Sequence, residues 1–541
     1  MMSDPLTPTH FIERAATLFG RKEVVTASGG ASVRHGWSEV RQRARRSAAG
    51  LAGLGARRGD RIATLAWNTH RHLELYFAVP TMGCVLHTVN LRLAAGQVAE
   101  VVRHGGARIL LADPESAHEA DVDALRGAGV EHLVCLADVG ETPAGWLAYE
   151  ALPAEAPWPD LPELDEEALA ALCYTSGTTG EPKGVGYTHR AIALHTLAIS
   201  LPDGFGISER DTILPAVPMF HANAWGLPFA AAMTGAGLVL PGVHPDARRL
   251  AALLSDERVT FAAGVPTVWM EVLAELRARP RSLHPSLRIH AGGAPTPPAL
   301  IEAYEREIGV EILTGWGMTE LTPVGMVTHP RAEMSDWAAE DVLRVRTSQG
   351  TPLPFVEARV VTDEGTPAPP DGATPGELEV RGPWVTAGYY RRDSSESFHD
   401  GWLRTGDVAT HDEHGYFRLV DRTKDLIRSG GEWISSVRLE QALMGVPGVA
   451  EAVVVAVPHA KWQERPWAFI VLEAGAQHGA APDEAALLAP LEASFPRWWV
   501  PDRLVFVDEL PRTATGKSDK KALRERARAM LPDSSGALTT G

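Results

Sequence analysis

Cysteine is scarce in this 541-residue chain: Cys84, Cys135 and Cys173 are the only three. They stand too far apart for a CxxC metal or redox pair, and free buried thiols in a reducing compartment are the expectation. A basic balance is missing too. The formal net charge is −17, with 51 Lys and Arg against 68 Asp and Glu, and no stretch concentrates cations as a nucleic-acid backbone would require. A nucleic-acid partner is therefore disfavoured, and a site for anionic substrates must gather its positive charge or metal locally. The first residues, MMSDPLTPTHFIERAATLFGRKE, show neither the basic start nor the apolar run of a signal peptide, so a cytoplasmic location is the default.

No uninterrupted apolar run reaches membrane length. Between Thr212 and Pro245 there is no charged residue, but Pro215, Pro218, Pro228 and Pro241 break the stretch together with Gly226, Gly235 and Gly237. No apolar helix of ~20 residues fits there, so no transmembrane segment is expected. The stretch reads as buried strand, loop and helix, the uncharged irregular backbone that lines an apolar pocket.

What remains is ordinary globular composition, 45% hydrophobic and 22% charged, enough for a large core and at least one further domain. Strand-like runs (RIATLAW, ARILLAD, TILPAVP, LRIHAGG, VEILTGWG) alternate with helix-like segments such as DARRLAALLSDE, which argues for an α/β class with largely parallel sheets. After a Pro- and Gly-rich β-like patch and GYFRLVDRTKDLIRSGGEW, the pattern restarts as a smaller α+β set. The expected organisation is a large N-terminal domain over 1–421, a small C-terminal domain over 422–531 and a disordered tail over 532–541.

Tyr174–Gly184 reads YTSGTTGEPKG. A buried strand, ALAALCY, precedes it, and a helix capped by Thr188 follows. Glycines let backbone N–H groups converge and hydroxyls add donors, so the run is phosphate-binding in character. It is not a Walker loop, because Gly180 is followed too soon by Lys183, itself followed by Gly184. Downstream stand VPMFHANAW (217–225), AGGAP (291–295), GWGMTE (315–320), GWLRTGD (401–407), DRTKDLIRSGGEWIS (421–435) and PRTATGKSDKKAL (511–523). In their residues and their order, these seven segments resemble the adenylate-forming superfamily of acyl- and aryl-CoA synthetases, peptide-synthetase adenylation domains and beetle luciferases. The resemblance spans nearly the whole chain.

The resemblance implies a large domain of stacked β-sheets with flanking helices and a β-subdomain, plus a small α+β domain that rotates about a hinge. It implies ATP, Mg2+ and CoA as ligands and a homodimer as assembly. Thr175, Ser176, Gly177, Thr178, Thr179, Gly180 and Lys183 would clamp the phosphates. Glu320, with Thr175, would hold Mg2+, and Thr319 would touch the phosphates. Such cations are needed because like charges ~4 Å apart repel by several kcal/mol at a protein-surface dielectric. Gly293, Ala294 and Pro295 would face Gly315, Trp316 and Gly317 across the adenine. Asp407 would accept the ribose hydroxyls beside Arg422. Lys517 would bridge the carboxylate and the α-phosphate during adenylation, with Lys520 and Lys521 solvated. Lys424 would be the hinge, and Gly430 and Gly431, with Trp433, the loop that enters the site for thioesterification.

Amino-acid-activating members place an Asp after the Phe of the FDxxxW stretch; here His221 stands there, so an α-ammonium would lack its counter-ion. VPMFHxNAW resembles instead the gate segment of long-chain fatty acyl-CoA synthetases, with Trp225 at the gate position and His221 beside the carboxylate. The expected function is a fatty acid–CoA ligase. A medium-chain or aryl acid, a carrier protein as acceptor, or a nucleotide-binding protein without catalysis stay open.

Overall fold

In a computed structural model of the chain, residues 4–27, 32–152, 163–175, 183–430, 432–473, 482–513 and 518–531 are described. They group into two compact units. The first comprises 1–296, 300–358 and 380–404; the second comprises 297–299, 359–379 and 405–541.

Two large sheets build the first unit. One has nine strands in the order Thr351–Pro352, Val324–Val327, Glu311–Gly317, Arg288–Ala291, Phe261–Gly264, Thr212–Pro215, Gly237–Leu240, Glu23–Thr26 and Val33–Gly36. Its six central strands run parallel and its edges antiparallel. The other has seven, ordered Leu147–Ala148, His132–Cys135, Ala107–Ala112, Arg61–Leu65, Val85–Thr88, Leu169–Thr175 and Lys183–Thr188. Only its last pair is antiparallel. Strands covered on both faces become near-continuous apolar runs, as in GLVL, FAAG and VLHT, each buried at all four positions. One core cluster joins strand residues of both sheets, among them Ile62, Leu86, Ile213 and Leu238, to helices Trp37–Gly53, His70–Thr81 and Leu227–Thr234.

The sequence reading of the helices and strands holds closely here. Thr188 caps helix His189–Ser200 by accepting from Ala191 N at 3.0 Å. The uncharged stretch resolves into a strand, a tight turn, a helix and a strand, and all three cysteines are buried and free. Among the described residues no helix is long and apolar enough to cross a membrane.

In the second unit, strands Glu432–Ile434, Ile427–Ser429, Gln463–Leu472 and Val449–His459 form a sheet in that order, with Arg503–Phe506 beside Gln463–Leu472. Strand periodicity sorts its two faces. Val454, Ala468 and Ile470 pack with Leu439, Leu443, Leu487 and Leu491 of helices Ser436–Met444 and Glu484–Ser494. Val453, Val455 and Phe469 point the other way, against Leu523 and Ala527 of helix Lys520–Ala529.

Candidate active site

The YTSGTTGEPKG segment joins two strands that pair antiparallel, with Thr175 opposite Lys183 at its base. Ser176, Gly177, Thr178, Thr179 and Gly180 lie outside the described residues, as do Gly431, Lys517 and the tail 532–541. The base itself is tied to the GMTE segment. Lys183 Nζ stands 4.6 Å from the ring centre of Tyr389, and the Tyr389 hydroxyl donates to Glu320 Oε1 at 2.7 Å. Tyr187, on the same strand as Lys183, donates its hydroxyl to Thr319 O at 2.7 Å. Thr386 N donates to Glu320 O, and Tyr390 N to Gly184 O, both at 2.8 Å. Thr175, Lys183, Thr319 and Glu320, distant in sequence, are thus brought together.

Glu320 is buried, and so is Thr319. Burial, and then the Glu320 carboxylate, push the Tyr389 phenol up, so that it remains a donor. Tyr389 was not singled out from the sequence; the GYY triplet carries no pattern that marks it. The buried Glu320 carboxylate, held at Oε1 by the Tyr389 hydroxyl, is the kind of hard oxygen donor that Mg2+ takes, one or two carboxylates with phosphate and water completing its shell.

VPMFHANAW forms the tight turn. Ala222, Asn223, Ala224 and Trp225 all have φ between 44° and 56°, and Gly226 has 77°. A left-handed turn costs roughly 1–2 kcal/mol per non-glycine residue, so its surroundings must impose it. Asn68 Nδ2 donates to Pro215 O and Val217 O, both at 2.9 Å, and Asn68 Oδ1 accepts from Met219 N at 2.6 Å. Asn223 Oδ1 lies 3.4 Å from Cys173 Sγ. His195, whose Nε2 accepts from Val324 N at 3.1 Å, sits where a Cβ on Gly226 would come within 2.8 Å. His221 is half-buried at the entry to the turn, its N–H donating to Pro218 O.

The turn lays Trp225 on the AGGAP backbone. A Cβ on Gly292 would meet the indole at 3.3 Å and one on Gly293 at 3.6 Å. The indole also meets His290, with ring centres 5.6 Å apart and planes at 84°. His290 is buried against Phe205, and burial drives its pKa down to about 3. Neither His195 nor His290 was legible as a site neighbour from the sequence. Trp316, on strand Glu311–Gly317, has its six-membered ring 3.2 Å from where a Gly325 Cβ would stand. Ala294 is exposed, and Pro295 half-buried.

In the second unit, Asp407 and Arg422 face each other on paired strands, with Nε 2.9 Å from Oδ1. Asp407 is buried; Arg422 is exposed over 44% of its side chain. Burial lowers the Lys424 pKa, and the neighbouring Asp425 offsets part of that. Gly430, at φ 63°, donates its N–H to Trp462 O at 2.9 Å and lies on the Trp462 ring. Trp433 pairs with Arg428, whose guanidinium stands 4.4 Å from the ring centre.

One expectation fails in this unit. Lys520, expected in solvent, has a side chain only 16% exposed and bonds Glu440 Oε1 at 2.8 Å and Ser436 Oγ at 2.6 Å. Burial opposes its charge, but Glu440, Asp421 and Asp425 outweigh that and raise its pKa. Sequence position alone suggested solvent because KKALRERARAM is a strongly basic helix; Lys520 sits on the helix face turned toward those acids. Lys521 is exposed, as expected.

The chain matches the family model of the AMP-binding enzyme over residues 12–390 and that of the AMP-binding enzyme C-terminal domain over 438–517. It is 47% identical to a long-chain-fatty-acid–CoA ligase of Thermus thermophilus, over 97% of this chain and 96% of that protein. It is 42% identical to a 3-methylmercaptopropionyl-CoA ligase of Ruegeria pomeroyi, over 98% and 99%. Among solved structures, it resembles the anthranilate CoA ligase AuaEII in complex with anthranoyl-AMP, with a TM-score of 0.84, 25% identity and 98% of each chain covered.

Proposed function

Since the chain belongs to the AMP-binding enzyme family, we propose that it is an AMP-forming fatty acid–CoA ligase, turning ATP, a fatty acid and CoA into acyl-CoA, AMP and diphosphate. One observation carries the reading: the base of the phosphate-type loop and the buried Glu320 converge through Tyr389 and Tyr187. The full-length similarity to a long-chain-fatty-acid–CoA ligase supports the acid class.

The carboxylate of the acid attacks the α-phosphorus of ATP; the P–O bond to the β-phosphate breaks, and diphosphate leaves with acyl-AMP retained. Thr175 and Lys183 hold the departing phosphates, and Thr319 donates to them. Glu320, with Thr175, would hold Mg2+, whose chemistry is to neutralise phosphate charge. Lys517 bridges the acid carboxylate and the α-phosphate, and Asp407 with Arg422 orients the ribose. Trp225, over the Gly292–Gly293 backbone, closes the acyl pocket, and His221 faces the carboxylate. The domain over 422–531 then turns about Lys424, bringing Gly430 and Gly431 into the site beside Trp433. The CoA thiol, losing its proton, attacks the acyl carbonyl and displaces AMP. A mixed anhydride makes the poorly electrophilic carboxylate reactive. We extend the reading to adenine bound between the 293–295 and 315–317 segments, to a homodimer and to a cytoplasmic location, on the strength of the resemblance.

AMP release measured with CoA across short, medium, long and aromatic acids tests the reading. Fastest turnover is expected with an unbranched fatty acid. Preference for an aromatic acid, or release that does not depend on CoA, overturns it.

A further inference from the structure

Lys520 opens helix Lys520–Ala529, three residues after Lys517. Both ends of the short segment that carries Lys517 are pinned. Arg512 and Ser518 form a β-bridge, and Asp519 N donates to Pro511 O at 2.8 Å. Arg512 Nη2 is 2.6 Å from each Glu451 oxygen, and Asp519 caps the helix by accepting from Lys521 N and Ala522 N. The helix root is in turn tied to the turn around Lys424. Lys520 Nζ meets Glu440 and Ser436, and Ser436 donates both its N–H and its hydroxyl to Asp421 Oδ2 at 2.6 Å. One helical turn on, Arg524 Nη1 bonds Asp425 Oδ1 at 2.7 Å. Positions i and i+4 share a helix face, so the two cations address the two acids that flank Lys424, one through Ser436 and the other directly.

We infer that Lys520 is a positioning residue for the adenylation step: by gripping Glu440 and Ser436, it sets the root of the Lys517 segment against the Asp421–Asp425 turn. The inference rests on the reading of Lys517 as the catalytic lysine. A displacement of about 1 Å of a reacting group can lower a rate by about 100-fold, so a grip on the root of the segment matters even though Lys520 touches no substrate. Lys520 bonds helix Ser436–Met444, whereas the thioesterification segment is carried by the hairpin Ile427–Ser429 and Glu432–Ile434. Loss of Lys520 should therefore separate the two half-reactions.

The experiment measures ATP–pyrophosphate exchange and thioester formation from supplied acyl-adenylate, on the full chain, for Lys517→Ala, Lys520→Met, Lys520→Arg and the double variant Lys520→Met/Glu440→Gln. The double variant removes both members of the Lys520–Glu440 pair, so Glu440 is not left as a buried carboxylate without its cation if Lys520→Met alone folds poorly. Lys520→Met and the double variant are expected to lose about tenfold or more in exchange kcat, with KM for ATP within about threefold. Thioester formation should stay within about threefold of wild type, and Lys520→Arg should recover part of the exchange. Exchange at the wild-type rate in both Met variants overturns the inference. An equal fall in both half-reactions also overturns it, because a merely structural role predicts that. Exchange retained by Lys517→Ala overturns the catalytic assignment itself, a separate failure visible in a separate variant.

Discussion

Arg422 Nε stands 2.9 Å from Asp407 Oδ1 across two paired strands, and the burial is one-sided: the carboxylate is inside and the guanidinium reaches solvent. A purely structural pair would show itself in stability, whereas a ribose-binding pair would show itself in nucleotide affinity. Asp407→Asn keeps the shape and removes the charge. We expect it to raise KM for ATP by about tenfold or more, the loss that follows from a charged hydrogen bond worth ~1.5–3 kcal/mol, with kcat less affected. An unchanged KM accompanied by a lower melting temperature would assign the pair to structure alone.

Tyr389 donates to the buried Glu320 carboxylate and carries Lys183 over its ring. Tyr389→Phe keeps the ring and deletes the donor. The half-saturating Mg2+ concentration of the adenylation step should move several-fold, while the fold is retained, because the hydroxyl orients the carboxylate. Titration of the exchange rate with Mg2+ reads this. A curve superimposable on wild type removes Tyr389 from the site.

Trp225 covers the Gly292–Gly293 backbone and borders His290. Trp225→Ala should shift the preference among saturated fatty acids of increasing length and uncouple acid binding from ATP. Initial rates across a chain-length series, together with acid affinity with and without ATP, test it. An unchanged ranking would make Trp225 a packing residue.

Six histidines are buried with lowered pKa values: His70, His87, His195 and His290 at about 3, His72 and His189 at about 4. Burial is the leading cause for each. In the unfolded chain they titrate near ~6.5. Below that pH the unfolded state binds more protons than the folded one, so stability is intact above ~6.5 and falls as the pH drops toward 4. Each histidine contributes roughly 1.4 kcal/mol per pH unit within that window. Asp113, raised to about 7 by burial, works in the opposite direction across the whole of it. Urea midpoints at pH 7, 6 and 5 should drop progressively, and His195→Gln should flatten the slope. Midpoints independent of pH would contradict the buried neutral rings.

The motifs and their order were legible in the chain because each is a local string of residue types whose chemistry does not depend on what packs against it. A Gly- and hydroxyl-rich loop, an acid after Met-Thr and an uncharged proline-broken run could all be read without a partner. Strand and helix placement followed for a similar reason, since the period of apolar residues already encodes which face is buried. Partnership across long separations was not legible. Trp225 was read as a gate with no partner named, and it lies on the AGGAP backbone, because a run of positive φ from Ala222 to Gly226 turns its indole toward Gly292. Tyr389 had no local signature; its hydroxyl finds Glu320 through the packing of segments 69 positions apart. Lys520 looked solvated beside Lys521, and helix rotation turned it toward Glu440 while leaving its neighbour outside. Identity of side chains sets what chemistry is available, whereas the direction each one points depends on contacts between remote segments, and those form only when the sheets and helices pack.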